Sequence, residues 1–411
     1  MELSPVKKIL IITSGQPSLN PRLIKEADTL ASKGHEVTVL YAYWNDWGTK
    51  FDQELIPSKK WKAVCVDGDP HKKKITYFFS RLIHKSAKLT NRKTRGKYLA
   101  ELAIARSGYY LIKAAKKYPA DIYIGHNLGA LAATVKAAKV NKKPCGFDLE
   151  DLHRYEVSDD KNHPDVVLKS ILENRYITQT NYLTASSPLI AEAYQQLFPD
   201  KHPVVLLNVF PNNFNIQQPE INSDGPIRLF WFSQTIGLNR GIQDLLSALL
   251  LVKDYSFELH LLGYLSPEVR STLVNSGPTN IHFHDPMAPD ELSAFASQFD
   301  IGFALEPAFS INNNLALSNK IFTYMQAGLA VVASDTAAQL RLLEEYPAIG
   351  KVYPKGNAAA LADILRYYHE HRDRLLESRK AALAVAQRDL NWEKESCKLL
   401  NLVDQTLADF E

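Results

Sequence analysis

The feature that most constrains the fold is the alternation of short apolar runs with helix-like segments along the chain. An apolar run from Lys7 to Thr13 is followed by a polar loop, a helical segment from Arg22 to Lys33 and a second apolar run from His35 to Tyr41. Asn20 is predicted to cap this helix and Gly34 to end it. Repeated units of this kind indicate an α/β protein whose sheets are mostly parallel and carry helices on both faces.

The same alternation suggests more than one domain. It stops in a segment rich in Pro, Asn and Gln and resumes at Ile227. The chain has 411 residues, which is too long for one ordinary hydrophobic core. We therefore predict an N-terminal domain over 1–208, a linker over 209–226, a C-terminal domain over 227–388 and a last helix within 389–411.

One run in the C-terminal half combines the end of a strand with the start of a helix. Glu306 follows an apolar strand, and Ser318, Asn319 and Lys320 open the next helix. The N–H groups at a helix N-terminus attract anions, and a lysine there adds charge for a phosphate. The run therefore predicts a nucleotide-diphosphate site in which Glu306 accepts hydrogen bonds from ribose or sugar hydroxyls. Loop bracing by Glu306 and simple helix capping by Ser318 and Asn319 are the alternatives.

The loop after the first strand of the C-terminal domain is a second candidate for this site. It contains Gln234, Thr235, Arg240 and Gly241. A guanidinium group binds a diphosphate through two parallel hydrogen bonds, and a glycine allows a helix to start close to a ligand. The alternative is an ordinary loop with a surface arginine.

The N-terminal domain has candidate residues of its own at predicted strand ends. Gly15 lies in the first loop, His126 ends a strand, and Asp148, Glu150 and Asp151 follow another strand. A carboxylate of this group would orient or deprotonate an acceptor hydroxyl, and a neutral histidine would bind a sugar hydroxyl. A structural histidine and a solvated, helix-capping acidic turn are the alternatives. No metal is expected at this group, because its three carboxylates do not form an Asp-x-Asp pattern.

The segment 71–97 is strongly basic. It has ten Lys or Arg residues and no Asp or Glu, with aromatic and aliphatic residues interleaved. This composition is typical of a peripheral contact with an anionic membrane surface, which would favour a lipid-linked acceptor. A solvated charged helix is the alternative. A net charge of only +3 and the lack of a recognition motif argue against nucleic acid.

The remaining sequence signals indicate a cytoplasmic location. Cys65, Cys145 and Cys397 are too widely spaced for a disulfide framework or a zinc site. The apolar runs are shorter than a membrane span, and the first strand begins without a secretory signal before it.

The run from Asp300 to Asp335 resembles the donor-site element of GT-B glycosyltransferases, especially the retaining family four. The pattern Asn-Lys-hydrophobic-Phe-x-Tyr-Met is present around Lys320. Leu315 and Thr323 stand where the family usually has glutamates, and Thr235 where it has an arginine. The resemblance covers nearly the whole chain. It implies two Rossmann-like α/β domains that face each other across a cleft, with the C-terminal helix crossing back to the N-domain.

This resemblance implies a hexosyltransferase-like enzyme of glycan biosynthesis. It would move a sugar from a nucleotide-diphosphate donor to a hydroxyl of a glycan, a lipid-linked intermediate or a small molecule, with retention of configuration. The donor would lie on the C-domain and the acceptor on the N-domain, where the loop of Gly15 would reach both the donor phosphates and the acceptor. No cofactor is expected besides the donor substrate. A sugar-nucleotide epimerase of the same fold and a non-catalytic homologue are the two alternatives.

Overall fold

The computed structural model describes residues 5–96, 98–213, 215–220, 225–237, 240–276 and 280–410. They form two compact units. Unit 1 contains the chain up to residue 207 together with 310–312 and the segment from 396 onward, and unit 2 contains 208–309 and 313–395. The predicted linker residues 214 and 221–224, the loop residues 238 and 239, and residue 97 of the basic segment lie outside the described residues.

Unit 1 is built on one sheet. Its strands are β1 Lys8–Thr13, β2 Glu36–Ala42, β3 Lys62–Asp67, β4 Ile122–His126, β5 Cys145–Leu149, β6 Tyr182–Ala185 and β7 Val204–Val205. Its helices are α1 Pro21–Ser32, α2 Asp46–Leu55, α3 Lys74–Lys93, α4 Ala100–Ala103, α5 Gly108–Ala115, α6 Leu128–Asn141, α7 Pro164–Tyr176 and α8 Pro188–Leu197. The strand order is β3-β2-β1-β4-β5-β6-β7, and the paired strands are parallel.

Helix α1 begins and ends as the sequence predicts. The Asn20 side chain accepts a hydrogen bond from the Leu23 N–H at 3.1 Å, which satisfies one of the free donors of the first turn. Gly34 follows the helix with a φ of +99°, a conformation that favours glycine. Both predicted boundaries are confirmed. They could be predicted because each depends only on the chemistry of neighbouring residues.

Unit 2 contains a second parallel sheet. Its strands are β8 Ile227–Thr235, β9 Phe257–Tyr264, β10 Ile281–His284, β11 Ile301–Ala304, β12 Ala330–Ser334 and β13 Gly350–Tyr353, in the order β10-β9-β8-β11-β12-β13. Its helices are α9 Ile242–Leu251, α10 Pro267–Ser276, α11 Pro289–Ala296, α13 Asn319–Gln326, α14 Ala337–Glu345, α15 Ala358–Glu370 and α16 Arg372–Arg388. Two further helices, α12 Ile311–Leu315 and α17 Trp392–Phe410, begin in one unit and end in the other.

In each sheet the strand order reverses beside the first strand. The neighbours are β1 and β4 in unit 1, and β8 and β11 in unit 2. Ligands of open parallel sheets bind at such a point, outside the carboxyl ends of the strands. The predicted α/β class with two parallel-sheet domains is confirmed.

Two predicted strand boundaries are wrong. Strand β5 continues through Asp148 to Leu149, because Asp148 pairs in register with His126 on one side and Thr184 on the other. Asp148 therefore lies inside the sheet and not in the acidic turn. Strand β8 likewise continues through Thr235, which pairs with Tyr264 on β9.

The edge strand β3 and helix α2 were not predicted. The side chains of β3 are mostly half-buried, so the strand lacks the apolar run that marks a central strand.

Among the helices of the described residues, none combines the length and apolar character needed to cross a bilayer.

Candidate functional site

The carboxyl edge of the unit 2 sheet brings the predicted donor residues together. The loop after β8 leads to Gly241, and the loop after β11 contains Leu305 and Glu306. Gly241 has a φ of +78°, and a Cβ on it would lie 2.3 Å from the Leu305 carbonyl oxygen. Only glycine lets the two loops approach this closely, so the close approach that the structure shows for Gly241 is to the Leu305 carbonyl, while the predicted approach to a ligand stays a prediction.

Glu306 is the centre of a hydrogen-bonded cluster at this edge. Its Oε1 accepts from the Lys320 Nζ at 2.8 Å and from the Ser318 Oγ at 2.9 Å. Its Oε2 lies 3.4 Å from the Asn313 amide nitrogen. Burial by itself would raise the pKa of Glu306, but Lys320, Ser318 and Asn313 outweigh burial and lower it. Glu306 is therefore an ionised group that holds the lysine in place.

The N-terminus of α13 is left open by this arrangement. Ser318 occupies the N-cap position, but its hydroxyl donates to Glu306 and makes no capping hydrogen bond to the helix. Asn319 is the first helical residue, and it is exposed. The Ile321 N–H donates to the Ser318 carbonyl, so the N–H groups of Asn319 and Lys320 lie together with the Lys320 ammonium at one place, which is suited to an anion.

Arg240 provides a second cation at the same edge. Its side chain is exposed, and Nη1 donates to the Ser233 Oγ at 3.0 Å. Gln234 and Thr235 are exposed at the end of β8. These side chains are accessible to a ligand that lies against the carboxyl ends of β8 and β11.

The carboxyl edge of unit 1 brings a different group together. The Asn127 Oδ1 accepts from the Thr13 hydroxyl at 2.7 Å, and its Nδ2 donates to the Glu150 Oε2 at 3.0 Å. A Cβ on Gly15 would lie 3.9 Å from the Asn127 Oδ1. Asn127 has a φ of +63°, a strained conformation for a residue with a side chain. Such strain is concentrated at functional sites, so Asn127 marks this edge as a candidate.

Glu150 and Asp151 follow β5 at the same edge. Burial, and then the neighbouring Asp151 and Asp148, raise the pKa of Glu150 to about 7. Burial and Glu156 raise the pKa of Asp151, whose Oδ1 accepts from the Asn312 side chain at 2.9 Å. A carboxylate with a pKa near neutrality can accept a proton at physiological pH.

His126 and Asp148 lie in a buried ionic cluster beneath this edge. The His126 Nε2 lies 2.5 Å from the Glu26 Oε2, and Arg22 donates to both oxygens of Asp148 at 2.8 and 2.6 Å. His126 and Asp148 are each only 1% exposed. Burial disfavours the charged imidazole, but Glu26 and Asp148 outweigh it and raise the pKa of His126 to about 10. Arg22 and His126 lower the pKa of Asp148 against the opposing effect of burial.

A cavity of about 340 Å³ opens beside the first loop of unit 1. It extends over the carboxyl ends of β2 and β3, and its polar lining includes Gln16, Tyr41, Tyr43, Asp52 and Lys73. The Gln16 side chain holds the cavity wall, because it accepts from the Trp44 and Asn45 N–H groups and lies 3.2 Å from the Asp52 Oδ2. The sequence analysis did not identify this cavity, because α2 and β3 carry no strong periodic signal.

Of the predicted residues, Ser318 and Lys320 each bond directly to Glu306, whereas His126 and Asp148 are enclosed in protein. Sequence reasoning missed Asn127 and Gln16 as candidate site residues and Glu26 as a buried partner of His126. An amide directly after a buried strand is a signal for Asn127. Glu26 gives no such signal, because it becomes a partner of His126 only when α1 packs on the sheet.

The second half of the chain is similar to a known protein family. Residues 240–401 match a family model described as "Glycosyl transferase-like". This stretch contains Arg240, Gly241, Glu306 and Lys320, the candidate residues of unit 2. Among curated proteins compared by sequence, none matches this chain.

Solved structures match the whole chain in fold. HepE from Anabaena in complex with UDP-glucose is 14% identical, with a TM-score of 0.67 over 97% of this chain and 100% of that chain. Sucrose-phosphate synthase from Thermosynechococcus elongatus is 13% identical, with a TM-score of 0.69 over 98% and 100%. A glycosyltransferase from Rickettsia africae is 14% identical, with a TM-score of 0.64 over 98% and 99%. The predicted GT-B fold is confirmed.

Proposed function

We propose that this chain, which has the GT-B fold and matches a glycosyl transferase-like family model over residues 240–401, transfers a sugar from a nucleotide-diphosphate donor to an acceptor hydroxyl. The observation that carries the proposal is the cluster of Lys320, Glu306 and Ser318 at the uncapped N-terminus of α13. It combines a fixed cation with free N–H donors at the carboxyl edge of a parallel sheet, where phosphates bind.

In this proposal unit 2 holds the donor. Lys320, Arg240 and the N–H groups of Asn319 and Lys320 bind the diphosphate and stabilise the charge that develops on it as the sugar departs. Fixed donors aimed at a developing charge are usually the largest contribution to catalysis. Glu306 orients Lys320, and its carboxylate lies where a ribose or sugar hydroxyl would donate to it.

Unit 1 holds the acceptor in the same proposal. Glu150 touches the acceptor hydroxyl and takes its proton, which its pKa near 7 supports. Asp151 orients the acceptor, and the cavity beside Gln16 accommodates its distal part. His126 and Asp148 act as positioning residues, since their ionic cluster supports the strand ends that carry Asn127 and Glu150.

Retention of the anomeric configuration follows from the resemblance to family four and is part of the proposal. A binding screen identifies the donor base and sugar. HepE was solved with UDP-glucose and with UDP, so uridine nucleotides are the first candidates to test.

The experiment is a thermal-shift screen with UDP, GDP, ADP, CMP, dTDP and their common sugar conjugates. A ligand present at one hundred times its dissociation constant stabilises a protein by about 2.7 kcal/mol, which raises the melting temperature measurably. A single nucleotide that stabilises the wild type but not Lys320→Ala supports the donor site. A flat panel on a folded protein contradicts it.

Product analysis separates transfer from the two alternatives. Leu315, Thr323 and Thr235 depart from the family pattern, which favours a non-catalytic homologue as the second candidate. Sugar transfer that requires an added acceptor supports the proposal. Conversion of the nucleotide sugar without acceptor indicates an epimerase, and donor binding without any turnover indicates the non-catalytic homologue.

Peripheral contact with an anionic membrane is a further part of the proposal, and helix α3 supports it. Ile75, Phe78, Phe79 and Leu82 recur at helical spacing, and all four side chains are exposed. The buried residues of α3 are instead small or polar, namely Ser80, Ala87 and Asn91. The apolar stripe of α3 thus faces solvent, in a segment without acidic residues. Apolar side chains flanked by lysines are typical of a helix lying in the plane of an anionic lipid surface.

Vesicle sedimentation tests this contact. We expect the protein to bind phosphatidylcholine vesicles that contain anionic phosphatidylglycerol, to bind pure phosphatidylcholine weakly, and to dissociate as salt increases. Phe78→Ser with Phe79→Ser should abolish binding. The control is Leu250→Ser with Leu251→Ser, which changes two exposed apolar residues on α9. Equal binding by both double variants would contradict the contact.

A further inference from the structure

Unit 2 contains a group of metal-ligating side chains outside the candidate donor site. Glu258 and His260 lie two residues apart on β9, so they point to the same face of the sheet. His282 on the neighbouring strand β10 pairs in register with His260, which places it beside His260 on that face. The two strands meet here through sheet pairing alone, so the sequence carries no metal motif at this position.

The ligand atoms of these three residues are close enough to share one ion. One nitrogen from each histidine and one carboxylate oxygen of Glu258 all lie within 4.8 Å of one another. Zinc binds nitrogen and oxygen at about 2.0–2.2 Å, so ligands in a tetrahedral site lie about 3.3–3.5 Å apart. His282 is exposed and Glu258 half-buried, so the His282 ring is free to turn out of its stack on His260 and bring its nitrogen toward an ion shared with Glu258.

The orientation of His260 favours an ion. Its Nδ1 lies 3.0 Å from the Nε2 of His284, and this contact fixes the ring. Its Nε2 is buried and has no hydrogen-bond partner among the described residues. The nearest carboxylate oxygen, on Glu258, is 3.7 Å away, which is too long for a hydrogen bond. A metal-bound histidine commonly uses one ring nitrogen for the ion and the other for an orienting hydrogen bond.

Simple packing accounts for only part of this arrangement. The ring of His260 stacks on that of His282, with ring centroids 4.5 Å apart. It also contacts the ring of Phe299, with centroids 4.6 Å apart. Stacking explains the ring positions. It does not explain why the buried Nε2 of His260 lies near the Glu258 carboxylate without a hydrogen bond to it. A cation between these two atoms would satisfy both.

We propose that Glu258, His260 and His282 bind one divalent transition-metal ion, with Zn²⁺ as the best match to two imidazoles and a carboxylate. Glu258 lies near the start of β9, whereas the candidate donor residues lie at the carboxyl edge of the same sheet. The ion would therefore tie the edge strand β10 to β9 and stabilise unit 2, and it would take no part in sugar transfer. Solvent at the exposed edge would complete its coordination.

Titration of the full-length protein, first stripped with a chelator, tests this proposal. We expect calorimetry with Zn²⁺ to give one site per chain, and Co²⁺ to give the visible absorption of a four-coordinate ion. Zn²⁺ should raise the melting temperature, and Mg²⁺ should not. His282→Ala and Glu258→Gln should each weaken Zn²⁺ binding by more than about tenfold, because each removes one ligand.

The control is His202→Ala, which removes an exposed histidine from unit 1. It should leave both the stoichiometry and the affinity unchanged. His282→Gln provides a second variant at an exposed position if the alanine variant is poorly folded. The proposal is overturned if Zn²⁺ does not bind saturably, or if it binds several sites that His282→Ala and Glu258→Gln leave unchanged, as adventitious surface binding would.

Discussion

Replacement of Lys320 by alanine is the sharpest test of the donor site. The Lys320 side chain is about one-fifth exposed and its ammonium lies 2.8 Å from the Glu306 carboxylate, so the substitution removes the cation from a mostly buried pair. A hydrogen bond to a charged group contributes about 1.5–3 kcal/mol. If Lys320 binds the diphosphate, its loss should raise the Kd for the nucleotide by about 10- to 140-fold.

The same change also affects folding, and this effect has a distinct pH dependence. Glu306 has a pKa below its ordinary value of 4.5, so its ion pair stabilises unit 2 above that pH. This stabilisation is lost as the pH falls through the lowered pKa. Lys320→Ala should therefore be destabilised most at neutral pH, by about 1–3 kcal/mol, and should approach the wild type in acid.

Two further variants separate binding from folding. Lys320→Ala combined with Glu306→Gln removes both charges, so it should recover stability but not nucleotide affinity. Lys394→Ala is the matched control, because Lys394 also pairs with a carboxylate, Asp389 at 3.3 Å, but is more than half exposed and lies on α17. Calorimetry with the nucleotide selected by the thermal-shift screen gives the Kd. A Kd for Lys320→Ala within about twofold of the wild type would refute the assignment.

Three other substitutions test the remaining residues. Gly241→Ala should lower the free energy of unfolding by about 1–3 kcal/mol in urea, because its φ is positive and the Cβ meets the Leu305 carbonyl, whereas Gly237→Ala, with no atom within 4 Å of its Cβ, should change little. His126→Gln should cost about 3–5 kcal/mol near pH 7. The pKa of His126 is raised from 6.5 to about 10, so the wild type should lose stability as the pH rises across that interval. His126→Gln should show no such loss. Parallel losses in both proteins would contradict a charged His126. Glu150→Gln should reduce kcat by about 10²- to 10⁴-fold and abolish the rise in activity around pH 7, and an unchanged pH profile would remove Glu150 as the proton acceptor.

Much of the fold follows from local sequence signals. Apolar runs alternating with helical segments predict two parallel sheets, because strands buried on both faces need continuous apolar runs and helical crossovers between them. Local caps such as Asn20 and Gly34 likewise need only neighbouring atoms. The position of Glu306 after a strand and that of Lys320 at the start of a helix could also be predicted, since the carboxyl edge of a parallel sheet collects the loops.

The state of the site residues depends on contacts between distant parts of the chain. The sequence predicts Asp148 to be one of three acidic residues in a turn. Pairing with two neighbouring strands instead places it in the sheet, where it bonds to Arg22. His126 becomes a buried cation only because α1 brings Glu26 against it. Burial and charge partners, which set these pKa values, do not exist until the chain is folded.

The sequence by itself therefore determined the α/β architecture and the loops that carry the candidate donor residues, because strand and helix periodicity and the chemistry of helix ends are local properties. Only the tertiary structure decided that Ser318 bonds to Glu306 instead of capping α13, that His126 is enclosed, and that His260 and His282 are neighbours. Each of these outcomes depends on which strands and loops are adjacent in space, and residue order along the chain does not specify that adjacency.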